Sequence, residues 1–426
     1  MRSLKLKPLS AALVVALSVP SLAAAEATAS VVPGASGASM NGPMLAMAGS
    51  AQNLDKVVVK GKRHGDDYNS DTSSVGAKTP TAVRDIPQSV TVVNRALLDA
   101  QGATSFADAL RNVPGITIGG AEGGQIGNNI NLRGFTARTD VYLDGFRDRG
   151  QYYRDTFDLE QIEVLKGPSS MLFGRGSTGG VINQSSKRAT LDPLTEVTST
   201  IGTSDHYRVT GDIDRPLSET SAVRVNAFAQ DNHSTRDIMA NKDAGIAPTL
   251  RFGIGTPTQI TLSALLQHNH DMPDYGLPPV NGHPAKGNPE NFYGLTDDHT
   301  DQDVAMVGGR IEHRFSDAVT LKSQLQYNWY KTDAQETAPN NLVTTSGVAL
   351  DRTTGNYTSV PLDQILVQLA SHDRVIHDAS LDSQTDLIAK FDTGQLAHTL
   401  IAGLELGRDT YTNQSYARSG LPLVSL

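Results

Sequence analysis

The chain has 426 residues, 45 acidic against 36 basic side chains, and a formal net charge of −9. That balance argues against a nucleic-acid partner, and the absence of cysteine excludes a disulfide scaffold, zinc ribbons and iron–sulfur clusters. A mean hydropathy of −0.28 with one long apolar run excludes a helical-bundle membrane protein. It leaves a membrane β-barrel open, because alternating strands hide their apolar face in an average.

The apolar run comes first. Arg2, Lys5 and Lys7 precede Leu9 to Leu22, and Ala23-Ala24-Ala25 suits cleavage before Glu26, so residues 1–25 read as a secretory signal peptide. Residues 26–80 read as a flexible segment, since Glu26 to Asn53 is rich in Ala, Gly, Ser and Met and has few large apolar side chains. Within it, Asp55-Lys56-Val57-Val58-Val59 is strongly β-prone. Such a segment either adds a strand to another protein's sheet edge or opens the next domain.

Residues 81–190 read as a compact α+β domain. Ser89 to Val93 is a strand, Asn94 caps a short helix that Gly102 stops, and Ser105 caps a second. Phe106, Ala109, Leu110 and Val113 share one helical face. Short strands follow at 116–118, 129–132, 141–143, 162–165 and 181–183. Gly174-Arg175-Gly176-Ser177-Thr178-Gly179 matches a dinucleotide fingerprint in letters only, because β-prone Val181-Ile182-Asn183 stands where a helix is required. These glycines read instead as sites of close backbone packing.

This stretch carries a family resemblance. Asp85-Ile86-Pro87-Gln88-Ser89-Val90, Leu110-Arg111-Asn112-Val113-Pro114-Gly115, Asn131-Leu132-Arg133-Gly134-Phe135, Tyr142-Leu143-Asp144-Gly145 and Ile162 to Gly174 occur in order, completed by Gly179-Gly180-Val181-Ile182-Asn183. Together they resemble the plug domain of TonB-dependent outer-membrane receptors. The resemblance implies a plug inside a 22-stranded barrel, import of a scarce nutrient, mostly a ferric siderophore, and a TonB box at residues 55–59. It also implies that Arg133 and Arg175 anchor the plug to acidic partners on the barrel wall.

From residue 191 onward the pattern has period two. Val319, Leu321, Leu325, Tyr327 and Trp329 alternate with Thr320, Lys322, Gln324, Gln326 and Asn328. Val223, Val225, Ala227 and Ala229 alternate with Arg224, Asn226 and Gln230, although Phe228 breaks the polar face. Nine antiparallel strands are read near 195–203, 206–214, 221–230, 247–255, 259–269, 303–315, 319–330, 380–391 and 396–411, with short and long connections alternating. A soluble sandwich shows the same alternation, but export and the plug favour a wall in outer-membrane lipid.

Nine strands cannot close round such a plug. At about 4.8 Å spacing and a tilt of about 40°, ten strands give a radius of roughly 10 Å and 22 strands roughly 22 Å. A plug of ~110 residues has a radius of about 17 Å and fits only the larger. The fold class expected is therefore an all-β transmembrane barrel, partial, with about nine strands of 22, behind an N-terminal α+β plug. The final Pro422 to Leu426 falls where an external loop belongs. The reading is a truncated receptor that forms no working transporter alone, since open strand edges are not tolerated in hydrocarbon.

For ligand, Phe146 to Asp155 holds Arg147, Arg149, Tyr152, Tyr153 and Arg154, which suit a planar anionic chelate such as a ferric catecholate. Gln151-Tyr152-Tyr153-Arg154-Asp155 resembles the plugs of catecholate receptors. The competing reading pairs these arginines with Asp148, Asp155, Asp158 or wall carboxylates. Gly119 to Asn129 is a second candidate loop, and Tyr275 joins the outer ligand surface from the connection at 270–302. His268, His270, Asp271, His283 and His299 match no dedicated metal spacing, and no nucleophile elbow or H-E-x-x-H occurs. The sequence thus reads as a TonB-dependent importer of a ferric siderophore, a non-enzyme without resident cofactor. The alternatives are another cargo (a hydroxamate siderophore, haem, cobalamin or an oligosaccharide) or a non-transporting surface protein.

Overall fold

The computed structural model describes residues 68–76, 78–119, 129–174, 178–280, 283–285, 288–350 and 360–426. The signal-peptide reading, residues 55–59 and Arg175 lie outside them, as do 120–128 of the Gly-rich loop.

The α+β domain follows in chain order: β1 (Thr72–Ser73), β2 (Thr81–Ala82), β3 (Ser89–Asn94), α1 (Arg95–Ala100), α2 (Phe106–Leu110), β4 (Ile116–Ile118), β5 (Ile130–Leu132), β6 (Phe135–Thr136), β7 (Val141–Leu143), β8 (Phe146–Arg147), β9 (Leu159–Lys166), α3 (Ser170–Phe173) and β10 (Gly180–Ser186). Its main sheet runs β3-β9-β10-β7-β8, with β10 and β7 parallel. The caps form where the sequence places them. Asn94 accepts from the Leu97 amide at 2.9 Å, and Ser105 accepts from the Asp108 amide at 3.1 Å. The face of Phe106, Ala109, Leu110 and Val113 is buried. Central strand β9 buries Ile162, Val164 and Leu165, and between them Glu163, which is fully buried as well. Three donors satisfy that carboxylate, the Ser73 hydroxyl at 2.6 Å, the Ser74 amide and Asn183, and so tie β1 to the sheet.

Two turns of this domain depend on glycine. Asp144 and Gly145 both have positive φ, 52° and 92°, which makes the tight β7–β8 hairpin. Gly180 has φ 142°, and a Cβ there would stand 2.1 Å from the Leu165 carbonyl oxygen. Within the Gly174 to Gly179 motif the backbone-packing reading holds at Gly179, where a Cβ would stand 2.1 Å from the Leu132 carbonyl oxygen, and not at Gly174, which has open space beside it.

The wall is one antiparallel sheet of nine strands, in the order β11 (Leu194–Gly202), β12 (His206–Ser218), β13 (Ser221–His233), β14 (Ala240–Phe252), β15 (Thr258–Asp271), β18 (His299–Arg314), β19 (Val319–Gln335), β22 (Asp373–Thr393) and β23 (Leu396–Tyr416). The count matches the sequence reading, but most strands extend further toward the long connections. Those ends alternate as well, with charged Asp301 and Asp333 on one face in place of apolar residues. At the other end the joins are short, at 219–220, 253–257, 315–318 and 394–395.

Which face is buried separates a membrane wall from a sandwich. The apolar face is the exposed one: Leu262, Leu266, Val307, Leu325, Leu400 and Leu404 are all exposed, while Asn226, Gln302 and Asn328 on the inner face are at most 1% exposed. A sandwich in water would do the reverse. Phe228, the misfit of the alternation, stacks 4.7 Å from Phe157 of the α+β domain. It joins Leu265, Val304, Met306 and Tyr330 of the wall in one core with that domain. Among the described residues no helix is long and apolar enough to cross a membrane.

The long connections hold structure the sequence reading left as loop. A short hairpin, β16 (Pro279–Val280) with β17 (His283–Pro284), precedes a three-stranded sheet of β20 (Thr337–Thr344), β21 (Ile365–Ser371) and β24 (Leu423–Ser425). Ile365, Val367, Leu342 and Tyr293 form a second core beneath it. Replacing Gly180 by Ala should cost more than 3 kcal/mol, since carbonyl oxygen cannot yield like a flexible side chain. The expected outcome is loss of protease resistance in residues 81–190, while Gly134→Ala, with no atom within 4 Å of the added Cβ, should be milder.

Candidate functional site at the apex of the inner domain

The segment after β8 rises to the level of the long connections, where it meets the upper ends of six wall strands. Arg154, read as a ligand contact, is 5% exposed and donates to Asp148 Oδ2 at 2.6 Å. It also donates to the Gly150 carbonyl at 2.6 Å and lies 4.4 Å from the Tyr152 ring. Tyr152 is buried too, donating to Asp148 and stacked at 5.6 Å on Tyr330. Arg154 and Tyr152 thus lie beneath the surface in this structure, as a framework around Asp148. Tyr330 completes the knot by donating to Asp148 Oδ1 at 2.9 Å.

Arg149 forms an ion pair with Asp409 of β23 at 2.7 Å, both side chains 29% exposed. Arg147 donates to the Tyr142 hydroxyl at 3.0 Å. Tyr153 is half-buried, and its backbone is held between Gln302 and Gln267 of the wall at 3.0 and 2.6 Å. Tyr275 lies in a different cluster, donating to Glu336 at 2.7 Å and stacked on His372 at 5.8 Å. The site residues therefore split: Arg149 and Tyr153 share the apex, Arg147 stays on the β7–β8 hairpin beside Tyr142, and Tyr275 belongs to the outer connections. Arg133, read as an anchor to the wall, lies exposed over Gly115 and Gly167 of its own domain. Among the described residues it makes no ion pair.

The real ties were missed by sequence reasoning. Arg208 of β12 grips Asp155 through two bonds of 2.7 Å. Lower down, Lys187 and Arg224 share Asp212, at 2.9 and 2.7 Å, and Thr190 donates twice to Asp214. The Asp155–Arg208 tie reverses the expected polarity, with the acid on the inner domain and the arginine on the wall, whereas Lys187–Asp212, Thr190–Asp214 and Arg149–Asp409 keep the acid on the wall. Only a pairing of inward wall positions with residues 148–155 would have found it, and one sequence does not supply that. His268 and His270 pair with Asp303 and Asp301 across β15 and β18.

Burial dominates the charges of the apex. It raises the Tyr152 and Tyr153 hydroxyls, with Asp148 and Asp155 adding to the shift, respectively. It also raises Asp155, against the pull of Arg208. Burial opposes the charge on Arg154, but Asp148 outweighs it and the pKa rises. Asp158, buried and repelled by Asp155, is pushed up to about 7.

Residues 82–181 match the family model described as TonB-dependent Receptor Plug Domain. The inner domain is thus similar to the plug of TonB-dependent receptors. It is 31% identical over 373 residues to the catecholate siderophore receptor Fiu of Escherichia coli K12, covering 83% of this chain and 48% of that protein. The probable TonB-dependent siderophore receptor PiuA of Acinetobacter baumannii is 31% identical over 362 residues, covering 82% and 46%. The crystal structure of the ferric-catecholate import receptor Fiu of E. coli K12, closed form, superposes with a TM-score of 0.75 at 30% identity, covering 84% of this chain and 52% of that one. The chain spans about half the length of the curated relatives it matches. The plug-and-wall architecture is that of these barrel receptors.

Breaking the Asp155–Arg208 pair should cost about 3–5 kcal/mol for either single variant, Asp155→Asn or Arg208→Gln, because each strands a buried charge. The double variant should cost less than the sum, and a double-mutant cycle in denaturant reads the coupling. Asp158 gives a pH signature. Its folded pKa lies above the unfolded value of ~3.9, so its contribution is present below about pH 4 and lost as pH rises through 7. Asp158→Asn should flatten that fall, by up to roughly 1.4 kcal/mol per pH unit, in unfolding curves taken across the window.

Proposed function

We propose that this chain is the plug and part of the wall of an outer-membrane receptor that binds a ferric siderophore of the catecholate type and imports it with energy from TonB. The observation that carries the reading is a wall with its apolar face outward and a plug fixed inside by buried charge pairs. It is supported by the likeness to two receptors whose names state siderophore reception. On this reading the apolar face meets outer-membrane lipid, the long connections face outside, and the N-terminal segment lies in the periplasm after signal-peptide removal. The protein works by transport, with no catalytic step and no resident cofactor.

Arg149 supplies the cationic floor for an anionic chelate, with Tyr153 beside it and Tyr275 contributing from the outer connections. The buried knot of Arg154, Tyr152, Asp148 and Tyr330 holds that floor in place and does not touch the ligand. Asp55 to Val59 is the strand TonB pairs with. Two changes in the intact receptor test the reading. Val58→Pro removes a backbone donor from that pairing, and uptake of ferric catecholate should fall to background while binding persists. Arg149→Ala should weaken binding about tenfold, a loss of ~1.4 kcal/mol. Unchanged uptake in the first, or unchanged affinity in the second, contradicts the respective assignment.

A further inference from the structure

Several buried acids on the inward face of the wall have a cation at hand. Asp212 holds Lys187 and Arg224, Glu336 holds Arg374, and Asp373 holds Arg418. Toward the long-connection ends of β14 and β15 this balance fails. Asp243 and Asp271 are 3% and 7% exposed, and among the described residues neither forms an ion pair. Their side chains meet across the β14–β15 pairing. Asp243 accepts from Gln230 through Oδ2, but Oδ1 of both acids is buried and accepts no hydrogen bond.

The register brings more oxygen to the same place. Asn232 pairs with Asn241 and Asn241 with Asp271, so the three stand abreast in one inward row of β13, β14 and β15. Asp243 is the next inward residue of β14. The amide oxygens of Asn232 and Asn241 are also buried without a donor. Buried acceptors left without a partner are rare in native proteins, and here they gather on adjoining positions of three strands. A proton shared between the two carboxyl groups would answer one contact and leave both amide oxygens orphaned. A cation answers them all. Neighbouring strands stand about 4.8 Å apart, twice the calcium–oxygen distance of about 2.4 Å.

We propose that Asn232, Asn241, Asp243 and Asp271 form a divalent-cation site, and that calcium is the ion it takes. Among the described residues no three His, Cys, Asp or Glu side chains gather to hold a metal. In this set amide carbonyls make up half of the donors, which is usual for calcium. The donors are hard oxygens, without the sulfur or imidazole that transition metals favour. The site lies beyond the apolar band, because outward Leu266 is followed on its face by His268 and His270, paired with Asp303 and Asp301. It also reaches the plug. Gln230 accepts from Arg208 at 2.6 Å, and Arg208 holds Asp155. A cation on Asp243 cancels a charge that competes with Asp155 for Arg208, and so tightens the upper tie. The site does not depend on the import reading.

The test is isothermal titration calorimetry of the full chain in detergent, freed of divalent ions, with calcium chloride. The expected result is one ion per chain with a Kd of about 10⁻⁴–10⁻³ M, the range of extracellular calcium modules. Asp243→Asn/Asp271→Asn should weaken binding about tenfold or more. Asn241→Ala keeps both carboxylates and should weaken it about fivefold; it decides the matter if the double variant does not fold. Magnesium, smaller and reluctant to shed water, should bind about tenfold more weakly. No calcium bound to wild type at about 10 mM overturns the site. Unchanged affinity in either variant overturns it as well, because the ion then sits on other oxygens. Equal affinity for magnesium and calcium also overturns it, since screening of charge without coordination makes no such distinction.

Discussion

A wall whose apolar side faces outward must do something with its polar side. Arg208, Arg224, Gln230, Asp212 and Asp243 all point inward from β12 to β14, and each is at most 9% exposed. A buried charge without a partner costs several kcal/mol. The plug supplies partners: Asp155 for Arg208, Lys187 for Asp212, the hydroxyl and amide of Thr190 for Asp214. The plug is therefore more than a filler of the right size. It neutralises the interior that the membrane-facing pattern forces on the wall.

Why this is done with ion pairs and not with more contacts like Phe157 on Phe228 follows from the proposed work. A buried ion pair stabilises little compared with a well-packed apolar pair, but it is specific in geometry and costly to leave half-made. In a plug that must be dislodged and must return to one register, that combination suits. Asp148 illustrates it by serving Arg154, Tyr152 and Tyr330 at once, and so fixes the apex to the wall and to itself. Such a network is also where electrostatic coupling between ligand and plug can enter, since Arg149 of the apex already reaches across to Asp409.

Much of the architecture was legible because it depends on local rules. Asn94 and Ser105 cap helices by their own chemistry, Asp144-Gly145 turns by its own dihedral freedom, and the wall's period-two alternation needs no distant information. Phe228 was legible as an anomaly, and its partner Phe157 explains it. The roles of the apex arginines were legible only as alternatives, ligand contact or pairing with Asp148, Asp155, Asp158 or a wall carboxylate, and the sequence did not say which arginine takes which partner. Arg154 and Arg149 sit five residues apart in one loop, yet one ends buried on Asp148 and the other half-exposed on Asp409, 260 residues later. The outer sheet was hidden for a similar reason: Leu342, Ile365 and Val424 lie on three short strands, none stable alone, that find one another across long connections.

If the plug and the wall hold each other through these charges, they should open as one cooperative unit. Native-state hydrogen exchange reads this directly, by comparing amides of β9 in the plug with those of β19 in the wall as denaturant is raised. The account predicts that both sets converge on a single opening free energy, and that Arg208→Gln lowers it for the two together. Plug amides that exchange through their own lower-energy opening while β19 stays protected, unaffected by Arg208→Gln, would contradict it.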